Sequence, residues 1–214
     1  MALDVEMLTV GQIAENCFVF RGEGAEKALV VDPGEEPERI LAAVAAMRVN
    51  VEAILLTHCH FDHIGAVAPV AKATGAPVYC PEIEVPILAD IMAFVPWAGF
   101  GPYESYQADH TVRGGETLAL AGLELDVIFT PGHSPGHVTY SVRGEEALFS
   151  GDVLFQGSVG RVDLPGGDGP TLMRSIRTLL DSHPDQTTVY PGHMGITTLG
   201  AERASNPFLL ELAR

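Results

Sequence analysis

Six consecutive residues, His58-Cys59-His60-Phe61-Asp62-His63, hold three imidazoles and one carboxylate. Buried polar groups need partners, and four of them this close cannot all serve as ordinary core. A metal ion is a partner that would satisfy them together. His58 and His60, two apart on an extended strand end, project to the same side. Asp62 and His63, at the start of a following helix, point differently, and this pattern suits two neighbouring metals. Three other apolar runs end the same way: Ile-Phe-Thr130-Pro-Gly-His133, Leu-Phe-Ser150-Gly-Asp152 and Val-Tyr190-Pro-Gly-His193. Each places a glycine directly before the candidate ligand, as close convergence of several loops on one point requires.

A lone Pro-Gly-His or Gly-Asp is normally a turn. Four strand ends sharing one design make convergence the better reading. His137 stands four after His133, but Pro135 and Gly136 between them argue against a helix that would pair the two as ligands. His137 is therefore expected behind the ligands, supporting them. His110 and His183 fall in polar loops and are expected on the surface. Cys59 lies between two candidate ligands, yet alternation turns it the other way, into the core as a small hydrophobe. Two divalent ions about 3.5–4 Å apart can share a water and lower its pKa toward neutrality, which gives a hydroxide able to attack a polarised carbonyl. Asp62 is a candidate to orient that hydroxide as well as to bind metal.

The elements that must position these loops alternate between strands and helices. Strand-like runs cover Val5–Val10, Cys17–Arg21 and Ala28–Val31, with a helix over Pro37–Met47, a buried strand over Val51–Leu56 and a helical stretch over Ile64–Thr74. A helix is expected near Glu82–Phe94, then a loop to Gln107. Strands lie between Glu116 and Phe149 with turns at Gly122 and Gly144. Leu172–Leu180 reads as a helix, Thr187–Tyr190 as a strand, and Leu199–Arg214 as a partly helical tail broken at Pro207. No linker divides the sequence, so residues 1–214 read as one mixed α/β domain rather than a purely parallel doubly wound sheet. The apolar stretch Ile83–Gly101, with Trp97 and Phe100, reads as core packing first, with a flap over the metals or a dimer contact as alternatives.

The formal net charge is −16, which makes nucleic acid or an anionic membrane a poor partner. Neither a membrane span nor a secretory signal is expected, and an odd count of three cysteines without a C-x-x-C pair suggests reduced thiols. A cytoplasmic location is expected, as a monomer or homodimer acting on a small molecule.

The run His58-x-His60-x-Asp62-His63, followed by His133, Asp152 and His193, resembles the metallo-β-lactamase superfamily. More narrowly, Thr-Pro-Gly-His133-Ser-Pro-Gly-His137, Ser-Gly-Asp152-Val-Leu-Phe and Gly160-Arg161-Val-Asp163 resemble the short glyoxalase II-like hydrolases. Glu15-Asn16-Cys17, Val-Asp32-Pro-Gly34 and the closing Asn206-Pro207-Phe208 extend the likeness over nearly the whole chain. The resemblance implies a four-layer αββα sandwich of two mixed β-sheets flanked by helices. It implies that His58, His60 and His133 hold a first metal, Asp62, His63 and His193 a second, and that Asp152 bridges. Two divalent ions are implied, zinc first, with iron or manganese as alternatives. The implied activity is hydrolysis of hydroxyacyl-thiol conjugates by a metal-bridging hydroxide.

Full-length glyoxalase II enzymes carry a C-terminal helical glutathione-binding domain, and residues 194–214 are too few to form one. Arg161 is a candidate for binding an anionic substrate group, against a salt bridge to Asp163. The rival readings are a mononuclear-iron persulfide dioxygenase, which shares the Gly-Arg-x-Asp segment, and a lactone or β-lactam hydrolase. Asp62, His63, His193 and His137 favour the dinuclear hydrolase. A non-catalytic metal-binding protein is the reading from another class.

Overall fold

The computed structural model describes residues 2–212. Its first sheet is built from β1 (Leu3–Val10), β2 (Glu15–Gly22), β3 (Lys27–Val31), β4 (Asn50–Leu55), β5 (Val78–Pro81) and β6 (His110–Val112), hydrogen-bonded in that order. The first three strands run antiparallel, and β3 through β6 are mutually parallel. Parallel neighbours need crossovers. These are α1 (Pro37–Met47) between β3 and β4, then α2 (Phe61–Ile64) and α3 (Val67–Thr74) between β4 and β5, then α4 (Val85–Ala89) and α5 (Ile91–Phe94) before β6.

The second sheet begins with β7 (Thr117–Leu120), β8 (Leu123–Phe129), β9 (Val138–Val142) and β10 (Ala147–Gly151), an antiparallel meander. A small hairpin follows, β11 (Leu154–Phe155) with β12 (Ser158–Val159). Helix α6 (Gly169–Ser182) then crosses to β13 (Thr188–Pro191), which lies parallel to β10, and β14 (Thr197–Thr198) closes the edge. Helices α7 (Leu199–Ser205) and α8 (Pro207–Leu212) end the described chain.

Three apolar clusters separate four layers. One packs α1, α3 and α4 residues such as Ile40, Val67 and Leu88 on one face of the first sheet. The second lies between the sheets, where Phe18, Phe20 and Leu29 meet Tyr140 and Phe149. The third packs Leu172, Ile176 and Leu179 of α6 against Leu148 and Val189 of the second sheet. The layers are therefore helix, sheet, sheet, helix. Strands buried on both faces lack polar alternation, and β2, β9 and β10 are almost entirely buried.

The structure corrects several boundaries. The stretch expected as one helix over 64–74 begins earlier, at Phe61, and breaks between α2 and α3. A side chain on Gly65 at that break would sit 2.6 Å from the Gly34 carbonyl, so close packing selects the glycine. The helix expected over 82–94 is a 3₁₀ turn and two short helices, interrupted where Asp90 takes φ −149°. His110 lies on β6 with its ring tilted against Tyr79, centroids 4.5 Å apart, not in a loop, though it is exposed as expected. His183 is half-buried at the end of α6, its Nε2 3.1 Å from Ser141 Oγ. Residues 83–101 divide between two roles: Leu88 and Ile91 are core, whereas Phe94 and Trp97 are exposed.

Candidate metal centre

All four loops singled out by their shared design leave strands at one edge of the sandwich. Hydrogen bonds tie them to one another. Val138 N donates to Thr57 O across the sheets, Thr130 N donates to His137 O, and Gly192 N donates to Gly151 O. The parallel register sets Gly151 beside Pro191, bringing Asp152 and His193 side by side. Asn16 pins the start of β2 to the last loop, its amide donating to the Pro191 and Met194 carbonyls. Two glycines carry the closest approaches. At Gly151, with φ +47°, a Cβ would stand 2.3 Å from Thr57 Oγ1, and at Gly192 it would stand 2.3 Å from Asp152 Oδ1.

His58, His60 and His133 offer ligand atoms within 4.8 Å of one another, and so do Asp62, His63 and His193. Asp152 lies between the two groups. Its Oδ1 is 3.4 Å from His63 Nε2, and its Oδ2 is 3.4 Å from His133 Nε2 and 3.5 Å from His193 Nε2. The structure thus gathers all seven residues proposed as ligands.

The supporting hydrogen bonds decide which nitrogens face the centre. Thr57 donates its hydroxyl to Asp32 Oδ2 at 2.6 Å, so at 3.0 Å it accepts from His58 Nδ1, leaving His58 Nε2 bare. His133 Nδ1 donates to the Arg161 carbonyl at 2.8 Å, leaving its Nε2 bare as well. Both bare nitrogens face His60 Nδ1, at 3.2 and 2.8 Å, and that atom has at most one hydrogen to share. Asp32 Oδ2 takes His63 Nδ1 at 3.0 Å, and the buried His63 Nε2 and Asp152 Oδ1 have no hydrogen-bond partner. Buried lone pairs aimed at one point with at most one proton to share are what a cation satisfies. The donor set of imidazoles and carboxylates fits divalent transition ions.

Electrostatics separates the two halves. Burial, reinforced by the neighbouring imidazoles, pushes His58 well below its ordinary pKa and His60 down to about 3. In the other half, burial lowers His63 and His193, but Asp152 and Asp62 more than offset it and leave both raised. Burial likewise raises Asp152 and Asp62, and the facing histidines, His63 foremost, reverse this and hold both carboxylates low.

His137 is buried behind the cluster. Its Nε2 accepts from Asp152 N at 3.0 Å, so its Nδ1 donates to Thr130 Oγ1 at 3.0 Å. With both nitrogens engaged, His137 fixes the Asp152 backbone rather than binding an ion. Cys59 is buried, its Sγ 3.5 Å from Cys80 Sγ, and all three cysteines are free thiols. Arg161 forms a forked pair with Asp163 at 2.7 and 2.8 Å, and its guanidinium lies 5.6 Å from the centre of the Trp97 ring.

Sequence reasoning gave no role to Asp32 or Glu84. Asp32 anchors Thr57 and His63 together, since its Oδ1 also takes Thr57 N at 2.8 Å. The signal was present, because Leu-Val-Val-Asp32 is a fifth apolar run ending in an acid. Glu84, buried, accepts from Ser134 Oγ at 2.8 Å and Gly136 N at 2.7 Å, bracing the loop that carries His133. No spacing rule joins residues so far apart in sequence.

The cluster opens onto a cavity of about 620 Å³ walled by Phe94, Trp97, Phe155 and Arg161. The sequence matches the metallo-beta-lactamase superfamily model over residues 10–193. The chain belongs to the metallo-β-lactamase superfamily. It is 33% identical over 209 residues to the hydroxyacylglutathione hydrolase GloC of Haemophilus influenzae, covering 97% of this chain and 98% of that one. Among solved structures it resembles the BLEG-1 B3 metallo-beta-lactamase, with TM-score 0.90 and 38% identity over 96% of this chain and 99% of that one. It also resembles TTHA1623, crystallised in a di-iron-bound form, with TM-score 0.84 and 40% identity over 95% of this chain and all of that one. Membership of this superfamily and the His/Asp cluster point to a divalent-metal site. Among the described residues, no helix is long and apolar enough to cross a membrane.

Proposed function

We propose that this protein is a dinuclear-metal thioesterase acting on hydroxyacyl-thiol conjugates. The observation that carries this reading is the presence of two adjacent ligand groups, His58/His60/His133 and Asp62/His63/His193, with Asp152 between them. A mononuclear site needs only half of that set. Two divalent ions held there would supply a hydroxide nucleophile at neutral pH and polarise the carbonyl oxygen.

The protein's own groups do the rest. Asp62 lines the cavity, and its carboxylate, kept ionised by His63 and His193, accepts a hydrogen bond from the attacking water and fixes its approach. His137 and Asp32 keep Asp152, His58 and His63 in place through the hydrogen bonds described above. The apolar walls exclude bulk water from the carbonyl. A thiolate departs without a protein acid beside it. The likeness to GloC supports a hydroxyacyl thioester, and three free buried thiols support a reducing, cytoplasmic setting, with the chain acting alone or as a homodimer.

The test is hydrolysis of hydroxyacyl thioesters by protein carrying two ions per chain, read as free thiol released. Turnover lost in Asp62→Asn at full metal occupancy is the expected companion result. The likeness to BLEG-1 favours β-lactam hydrolysis as a second reading. Cleavage of a β-lactam without thioester turnover would establish it instead. A single iron per chain, with oxygen consumed on a persulfide, would replace both with a dioxygenase.

A further inference from the structure

The cavity beside the metal cluster has a composition that constrains what can enter it. Phe94 at the end of α5, Pro96 and Trp97 just after it, Phe155 and Val159 of the hairpin, and Leu164 beyond it contribute to its walls. Phe94 and Trp97 are 51% and 41% exposed, so their ring surface is free for an apolar ligand. Phe61 holds this wall, its ring centre 5.9 Å from that of Trp97 and 4.9 Å from that of Phe100. Apart from the ligand histidines, Arg161 is the sole cation among the described lining residues. Its charge is already paired with Asp163 through two hydrogen bonds, and its guanidinium lies 5.6 Å from the Trp97 ring centre.

Glutathione carries two carboxylates and an ammonium group. In this cavity its two carboxylates would face one side-chain cation outside the histidine cluster, already paired with Asp163, and the formal charge of −16 adds repulsion for an anion. An uncharged ring or short chain would instead bury apolar surface against Phe94 and Trp97. We propose that the thiol half of the substrate is uncharged and apolar, an inference that rests on the thioesterase reading above.

The experiment compares two thioesters of one acyl group, lactoyl, made with benzyl mercaptan and with glutathione, on protein carrying two ions per chain. The benzyl thioester is expected to show kcat/KM at least about tenfold higher, and Trp97→Ala to raise its KM about tenfold. Binding provides a second readout, free of turnover. Trp97 is the single tryptophan of the chain, so its emission in metal-free protein reports occupancy directly. Benzyl methyl sulfide is expected to shift that emission at about tenfold lower concentration than S-methylglutathione. Equal or better hydrolysis of the glutathione thioester, or equal binding of the two probes, overturns the inference and leaves the thioesterase reading standing. Hydrolysis of neither thioester overturns both.

Discussion

Asp32 does not line the cavity beside the cluster, yet three hydrogen bonds tie it to the residues that build the centre. It takes Thr57 N, Thr57 Oγ1 and His63 Nδ1, and through Thr57 it sets the tautomer of His58. Carboxylates behind metal-bound histidines fix ring orientation and raise ligand basicity, and their loss weakens metal affinity about 10–100-fold. Asp32→Ala is therefore expected to lose metal by about that factor, measured by competition with a chromophoric chelator, while its circular dichroism stays native. The shifted histidines add an order of events. Both halves must be deprotonated to hold ions. His60 is pushed down to about 3, so its lone pair survives acidification, whereas His63 and His193, raised by Asp152 and Asp62, take up protons first as pH falls. In metal-free protein, histidine NMR titration is expected to show His63 and His193 taking up protons before His60 as pH falls, and the opposite order would contradict this assignment.

Between elements, the centre is held by loops rather than by the strands that deliver them. Glu84, on the 3₁₀ turn before α4, donates nothing to the cavity but accepts from both Ser134 and Gly136. Glu84→Ala leaves two buried donors unpaired, a cost of about 1–3 kcal/mol. Differential scanning calorimetry is expected to show a midpoint lower by roughly 2–4 °C for each kcal/mol. The strand ends and the gathering of their histidines and aspartates were legible in the sequence, because apolar runs ending in glycine and a His or Asp are local patterns. The interrupted helices over 82–94 were not, because Asp90 breaks a continuous helical periodicity that shows no proline or glycine at the break. Glu84 was hidden for a different reason. Its partners lie fifty residues away, and only the tertiary fold brings them together.

At the scale of the whole molecule, two sheets facing across one apolar core leave a single edge where loops from both can meet. Loops that follow β4, β8, β10 and β13 supply that edge, so the cluster exists only when both sheets are docked. The αββα layering that the family resemblance implied appears as three separate apolar clusters. Ions that bind the folded chain and not the unfolded one stabilise it by mass action. Their removal by a chelator is expected to lower the unfolding midpoint, and their return to restore it. The most direct test of the central claim is metal content per chain, by elemental analysis of protein purified without chelators or added metal. Close to two divalent ions per chain is the expected result. One ion or none, in protein that folds normally, would contradict a dinuclear centre built from these seven side chains.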